Sequence, residues 1–173
     1  MTIQLLSGGA IILGCAYLGI LLAASFKKRV RQLAEFRNVL AQLEFDIDFR
    51  CIPLSESLKN MGKNCQGAVR DVLLYISERL SEDRCVNMQK LWSRAINRFR
   101  YELFLTDEDI EIILVFSKNL GSGDCSQEKN NLKMASARLK MAEDEALEIA
   151  KRNVKMCRGL GILAGIFIVI VLV

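Results

Sequence analysis

The side chains best suited to chemistry in this 173-residue chain are six cysteines, at positions 15, 51, 65, 85, 125 and 157, in a sequence without histidine. A structural zinc ion takes four close nitrogen or sulfur ligands, usually including C-x-x-C pairs. No such pair occurs here, so the cysteines read as small apolar packing residues. Without histidine, a serine or cysteine nucleophile lacks its commonest base. Glu44, Asp46 and Asp48 bring three carboxylates together in sequence. Asp46 and Asp48 are two apart, which on a helix puts them on different faces, and they read as solvated surface. Gly62-Lys63 and the Gly121-Ser122-Gly123 loop come nearest to a phosphate cradle. A P-loop requires G-x-x-x-x-G-K-[ST], but residue 57 is serine and Lys63 is followed by Asn64. The expectation is a non-enzymatic protein with no metal centre and no cofactor.

The elements around these residues are organised by charge. Every Lys, Arg, Asp and Glu lies between Lys27 and Arg158, and both ends outside that window are apolar. Ile3 to Ala24 holds only Gln4 and Ser7 as clearly polar side chains. A helix needs about 20 mostly apolar residues to cross a hydrocarbon core of about 30 Å, so residues 1–26 read as a transmembrane helix. The alternative is a cleaved signal, but a signal carries its basic residues before the apolar core rather than after it. Residues 159–173 form a shorter apolar segment of about 22 Å as a helix. Starting from Met156, with Lys155 and Arg158 snorkelling, the reach becomes about 27 Å, enough for a thin or thinned bilayer. The alternative is a buried core helix. The run from Ile162 to Val173 is apolar on every face, which favours a membrane over a small domain's core.

Two basic clusters border these segments on the inner side: Lys27, Lys28, Arg29 and Arg31, and Lys151, Arg152, Lys155 and Arg158. The positive-inside rule then makes residues 27–158 a cytoplasmic domain with both termini across the membrane. The same clusters suit anionic lipid headgroups. The net charge of +4 is modest, and no aromatic-interleaved basic stripe points to nucleic acid. A reducing cytoplasm also disfavours disulfides. Gly161 and Gly165 make a G-x-x-x-G pair that allows close approach of membrane helices. Ala10 with Gly14, or Cys15 with Gly19, gives similar spacings in the first segment, so the two segments pack on each other or on another membrane protein.

Within the domain the periodicity is helical, and no alternating strand pattern occurs. Leu33, Phe36, Leu40, Leu43 and Ile47 form a three-four stripe, with no glycine or proline between Gly19 and Pro53. Pro53 stops that helix and opens the next, expected to Met61 with Leu54, Leu58 and Met61 inward and Gly62 as a break. Further helices are expected over Ala68 to Leu80 (Val69, Val72, Leu73 and Ile76 inward) and over about Val86 to Phe99 (Met88, Leu91, Trp92, Ala95 and Phe99 inward). Thr106 reads as an N-cap before Asp107, Glu108 and Asp109. Its helix is expected to run to Leu120 through Ile110, Ile113, Leu114 and Val115, with Gly121 as the C′ residue. Gly121 and Gly123 then form a structural loop, Asp124 caps the last helix, and Gln127 holds the capping-box position. Leu132, Ala135, Leu139, Ala142, Ala146 and Ile149 form a stripe of small side chains, on which the first long helix is expected to pack closely. The fold class is all-α: a bundle of about six helices flanked by two transmembrane helices.

Several segments together resemble the stage III sporulation protein AB family. They are Leu120-Gly121-Ser122-Gly123-Asp124 with Gln127, the closing Leu160-Gly161-Ile162-Leu163-Ala164-Gly165, Arg31-Gln32-Leu33, and Pro53-Leu54-Ser55-Glu56-Ser57-Leu58. Gly123 departs from the serine expected before the aspartate. The resemblance implies a component of the assembly joining the mother cell to the engulfed forespore in endospore-forming bacteria. It implies a domain similar to the cytoplasmic domains of the platform protein (F component) of type II secretion and type IV pilus machines. It also implies a place in the mother-cell membrane around the forespore. Implied partners are membrane lipid, a secretion-type cytoplasmic ATPase (the AA protein of the same system) and other membrane subunits of the channel; homo-oligomerisation is left open. The alternative reading is a membrane-tethered helical signalling or regulatory adaptor.

Overall fold

The computed structural model of the protein describes residues 24–46, 52–82, 87–118, 120 and 125–172. Among them there are six helices and no strand: α1 over 24–46, α2 Leu54–Asn64, α3 Gly67–Glu82, α4 Met88–Arg98, α5 Asp107–Ser117 and α6 Cys125–Leu172. The all-α expectation therefore holds. Among the described residues no helix is long and apolar enough to cross a membrane. Of the expected first span only residues 24–26 are described. Arg31–Asp144 form one compact unit, and the chain ends, described over 24–30 and 145–172, belong to another.

The core of the Arg31–Asp144 unit follows from helical stripes. Leu33, Phe36, Leu40 and Leu43 of α1 are fully buried, as their spacing predicts; Ile47 lies outside the described residues. Val69, Val72, Leu73 and Ile76 of α3 likewise have no measurable exposure. Each such side chain contributes about 1.5–3 kcal/mol relative to leaving it in water. Consecutive helices pack on one another, α2 most extensively on α3, then α4 on α5 and α3 on α4. Trp92 of α4 is fully buried and meets Phe116 of α5 edge-to-face, with ring centroids 5.1 Å apart.

Gly62 does not break α2, which runs on to Asn64. Gly62 is buried because α3 lies against it: a Cβ there would sit 3.0 Å from Leu74 Cδ2 and 3.4 Å from Leu73 Cβ. The reversal falls further on, where Gly67 takes φ +57° to start α3. That left-handed conformation is one that glycine adopts at little cost. Asn87 caps α4 by accepting the Lys90 N–H at 3.0 Å. Leu91, Trp92, Ala95 and Ile96 make its buried face, while Met88 and Phe99 are not fully buried.

Thr106 caps α5 as expected, through a full capping box with Asp109: Thr106 Oγ1 accepts the Asp109 N–H at 3.3 Å, and Asp109 Oδ2 accepts the Thr106 N–H at 2.9 Å. Asp109 is therefore buried rather than an exposed charge near the helix dipole. α5 ends at Ser117, short of Leu120, where the buried Ser117 hydroxyl bonds back to the Leu114 carbonyl at 2.8 Å. Serine bonding back to its own helix in this way competes with continuation of the ladder. On α5, Val115 is 51% exposed, while Ile113 and Phe116 are buried in the core.

α1 and α6 run antiparallel within this unit. Arg37 Nε lies 2.8 Å from Glu143 Oε2, and Lys133 Nζ lies 3.8 Å from Glu44 Oε1, so rising numbers on one helix meet falling numbers on the other. The Arg37 contact is an ion pair whose N–H is not aligned for a hydrogen bond. Leu132, Ala135 and Leu139 are buried along α6. The first helix is thus a neighbour of α6, as expected, through these two ion pairs.

Candidate interaction surfaces

The residues singled out for the membrane boundary lie on α1 and α6. Lys27 and Lys28 are exposed and Arg29 half-buried in the first turns of α1, and Lys151 and Arg152 are exposed on α6. Arg31 is held by the bundle instead: its Nε bonds Glu35 Oε1 at 3.1 Å, and its Nη2 donates to Gln66 Oε1. The side chains of Lys155 and Arg158 lie outside the described residues, as do Gly121, Gly123 and Asp124. Gly161 and Gly165 fall within α6, and Gln127 is exposed in its first turn.

The acidic triplet does not behave as solvated surface. Asp46 is only 8% exposed; Ser57 Oγ of α2 donates to its Oδ2, and Gln42 Nε2 donates to its Oδ1 at 3.1 Å. The reason is packing: the segment between α1 and α2 is short enough to bring the last turn of α1 against the first turns of α2. A carboxylate there is tolerated because it is hydrogen-bonded. Glu44 faces Lys133, and Asp48 lies outside the described residues. Asp46 is thus a strut between helices.

A second strut was invisible in the sequence. Gln32 of α1 donates from Nε2 to the Glu102 carbonyl at 3.0 Å and accepts the Phe104 N–H on Oε1 at 2.7 Å. One amide so satisfies both backbone groups of the extended segment between α4 and α5. Arg100 holds the other side of that segment through the Leu105 carbonyl at 3.0 Å and Asp107 Oδ1 at 2.8 Å. These bonds fix where α5 begins.

Burial pushes the half-buried Cys65 thiol up, and the nearby Glu35 carboxylate adds to this. A thiol held protonated is a poor nucleophile. Among the described residues no group of three cysteines or carboxylates could hold a metal ion. An open cleft of about 590 Å³ between α2 and α3 is lined by Glu56, Lys59, Lys63, Ser77 and Glu78. Its charges are mixed in sign and its one buried hydroxyl is engaged, since Ser77 Oγ donates to the Ser55 carbonyl at 2.8 Å. A smaller apolar pocket of about 70 Å³ lies between α5 and α6 beside Val115, Phe116 and Met134.

Comparison with known proteins agrees with this architecture. The family model described as stage III sporulation protein AB matches residues 4–173. The stage III sporulation protein AB of Bacillus subtilis (strain 168) is 24% identical over 170 residues, covering 98% of this chain and 99% of that protein. A solved structure of stage III sporulation protein AB (SpoIIIAB) superposes with a TM-score of 0.66 at 22% identity, over 72% of this chain and 97% of the other. At that identity the likeness is one of fold. The match along nearly the whole length carries the conclusion: the chain belongs to the stage III sporulation protein AB family, and its role is in sporulation.

Proposed function

We propose that the protein is a non-enzymatic membrane platform of the mother cell–forespore channel, whose helical bundle docks a secretion-type cytoplasmic ATPase (the AA protein of the same system). The observation that carries this reading is the antiparallel pairing of α1 and α6 through Arg37–Glu143 and Glu44–Lys133. Within the bundle, that pairing puts residue 31 of α1 and residue 144 of α6 at the same end. A chain held at both ends to one membrane face requires these two junctions on one side of the bundle. The flanking lysines and arginines supply the inside-positive signal and a surface for anionic lipid. In this reading residues 1–26 and 159–173 are the membrane segments, and Gly161 and Gly165 face another membrane helix.

Two measurements test the proposal. Single cysteines at Thr2, Ser122 and Val173 in an otherwise cysteine-free chain report topology. An impermeant thiol reagent on the outer face should label the ends and spare Ser122; labelling of Ser122 overturns the orientation. Purification of the full chain from detergent should bring the ATPase and other membrane subunits with it. A stable, monodisperse protein arriving alone would favour a membrane-tethered regulatory adaptor.

A further inference from the structure

α4 carries charge of one sign only. Its sequence, Met88 to Arg98, contains Lys90, Arg94 and Arg98 and no acidic residue. These three sit four apart, so they form one exposed ridge along two turns, about 12 Å long at 1.5 Å per residue. Like charges at this spacing repel, each pair destabilising a helix by a few tenths of a kcal/mol. Several cations elsewhere in the bundle are matched: Arg31 by Glu35, Arg37 by Glu143, Arg79 by Glu82 and Lys140 by Asp144. Among the described residues no carboxylate forms an ion pair with Lys90, Arg94 or Arg98.

The end of the ridge is nonetheless ordered. The Arg98 guanidinium lies 5.2 Å from the ring centroid of Tyr75 on α3 and 5.9 Å from that of Phe99. Arg79 lies 5.6 Å from the same tyrosine ring, and Tyr75 meets Phe99 edge-to-face at 6.4 Å. Stacking on aromatic rings holds a guanidinium in place while leaving its N–H fork free for a bidentate acceptor. Three residues on, Tyr101 is fully exposed. Arginine and tyrosine are the side chains enriched where protein interfaces concentrate their affinity.

We propose that the Lys90–Arg94–Arg98 ridge, with Tyr75 and Tyr101 beside it, docks an acidic helix of a different protein, one that presents carboxylates at one-turn intervals. The occupant is argued from charge complementarity. Two of the three cations are arginines, whose planar forks match carboxylates geometrically. Fixed four-residue spacing suits a helix with acids at the same spacing. A fluid lipid surface attracts basic residues without regard to register and takes lysine as well as arginine. Nucleic acid is disfavoured because the Tyr75 ring already carries two guanidiniums and has little face left for a base. The proposal rests on the platform reading only in supposing that the bundle has a protein partner, whichever protein that is.

The test is photocrosslinking in sporulating cells with the full-length protein carrying Asn97→p-benzoyl-phenylalanine; Asn97 is exposed and lies beside the ridge. The expected adduct is with a different protein, at a segment whose acidic residues lie three or four apart. Its yield should fall at least about tenfold in the Arg94→Glu, Arg98→Glu background. Both altered side chains are exposed, so that background should keep the thermal midpoint of the parent; Arg94→Glu alone serves if it does not. An adduct with a second copy of this chain, an adduct with lipid, no adduct, or an adduct indifferent to charge reversal each overturns the proposal. Absence of the ATPase from detergent purifications, with an acidic adduct to another protein intact, would sink the ATPase reading and leave this one standing.

Discussion

Replacing Asp46 tests whether the bundle depends on a buried carboxylate that joins its first two helices. Asp46 is 8% exposed and Ser57 is 3% exposed, so water cannot replace a lost bond between them. A hydrogen bond to a charged group contributes about 1.5–3 kcal/mol, and a buried donor left without an acceptor costs about 1–3 kcal/mol. Gln42 is exposed and finds water when its acceptor goes. Asp46→Ala is therefore expected to cost about 3 kcal/mol, and Ser57→Ala about 2 kcal/mol because Asp46 keeps Gln42. The double variant removes both partners at once and should cost little more than Asp46→Ala alone, a coupling of about 1.5–2 kcal/mol. For a domain of this size 1 kcal/mol moves the melting midpoint by about 4 °C. Asp46→Ala should thus lower it by about 12 °C, read by circular dichroism on the full chain in detergent. Glu44→Ala is the comparison: its carboxylate is 3.8 Å from Lys133 Nζ, with side-chain exposures of 27% and 57%. An ion pair of that kind contributes less than about 1 kcal/mol. If the Asp46 and Ser57 substitutions add within about 0.5 kcal/mol, or Asp46→Ala shifts the midpoint no more than Glu44→Ala does, the strut argument is wrong.

Gln32→Ala leaves the Glu102 carbonyl and the Phe104 N–H without their partner and should cost about 2 kcal/mol; hydrogen exchange at Phe104 should accelerate, and unchanged exchange there would refute the clamp. At Gly62, alanine gains about 1 kcal/mol of helix propensity against a contact with Leu74, whose side chain is half-buried and can turn toward the open cleft, so the net effect is close to zero. Gly62→Val adds branched bulk against Leu73 and should destabilise by about 1–3 kcal/mol, so equal melting of the two variants would contradict the packing. The Cys65 thiol should alkylate slowly at neutral pH, with a midpoint above that of a free thiol. A raised thiol pKa contributes stability that is present below the unfolded value and lost as pH rises through the folded one. Glu35→Gln should move the alkylation midpoint down only part of the way, since burial is the larger cause and remains.

The helical stripes could be read because they are local. Leu33, Phe36, Leu40 and Leu43 declare a buried face by spacing alone, and Thr106 declares a helix start by its type and by the three acidic residues after it. Asn87 carries the same kind of signal, since an asparagine directly before an apolar-periodic run is a cap candidate; the start expected near Val86 overlooked it. Gly62 misled, and Ser117 gave no sign of ending α5, because each residue has two uses. Glycine usually punctuates a helix, but a glycine facing a neighbouring helix lets the two approach. Serine late in a helix continues it or bonds back, and burial against other elements settles which.

What the sequence determined by itself was the confinement of all charge between Lys27 and Arg158, the all-helical class and the identity of most core residues. Each of these depends on composition or on neighbours three and four apart. Only the tertiary structure decided that Asp46 is buried, that Gln32 clamps a segment 70 residues away, and that α4 presents arginines with no ion-pair partner among the described residues, one of them stacked on Tyr75. The physical reason is the range of the interactions. A stripe needs only the 3.6-residue turn, whereas a hydrogen-bond partner 11 or 72 residues distant is set by how whole helices come to rest against each other.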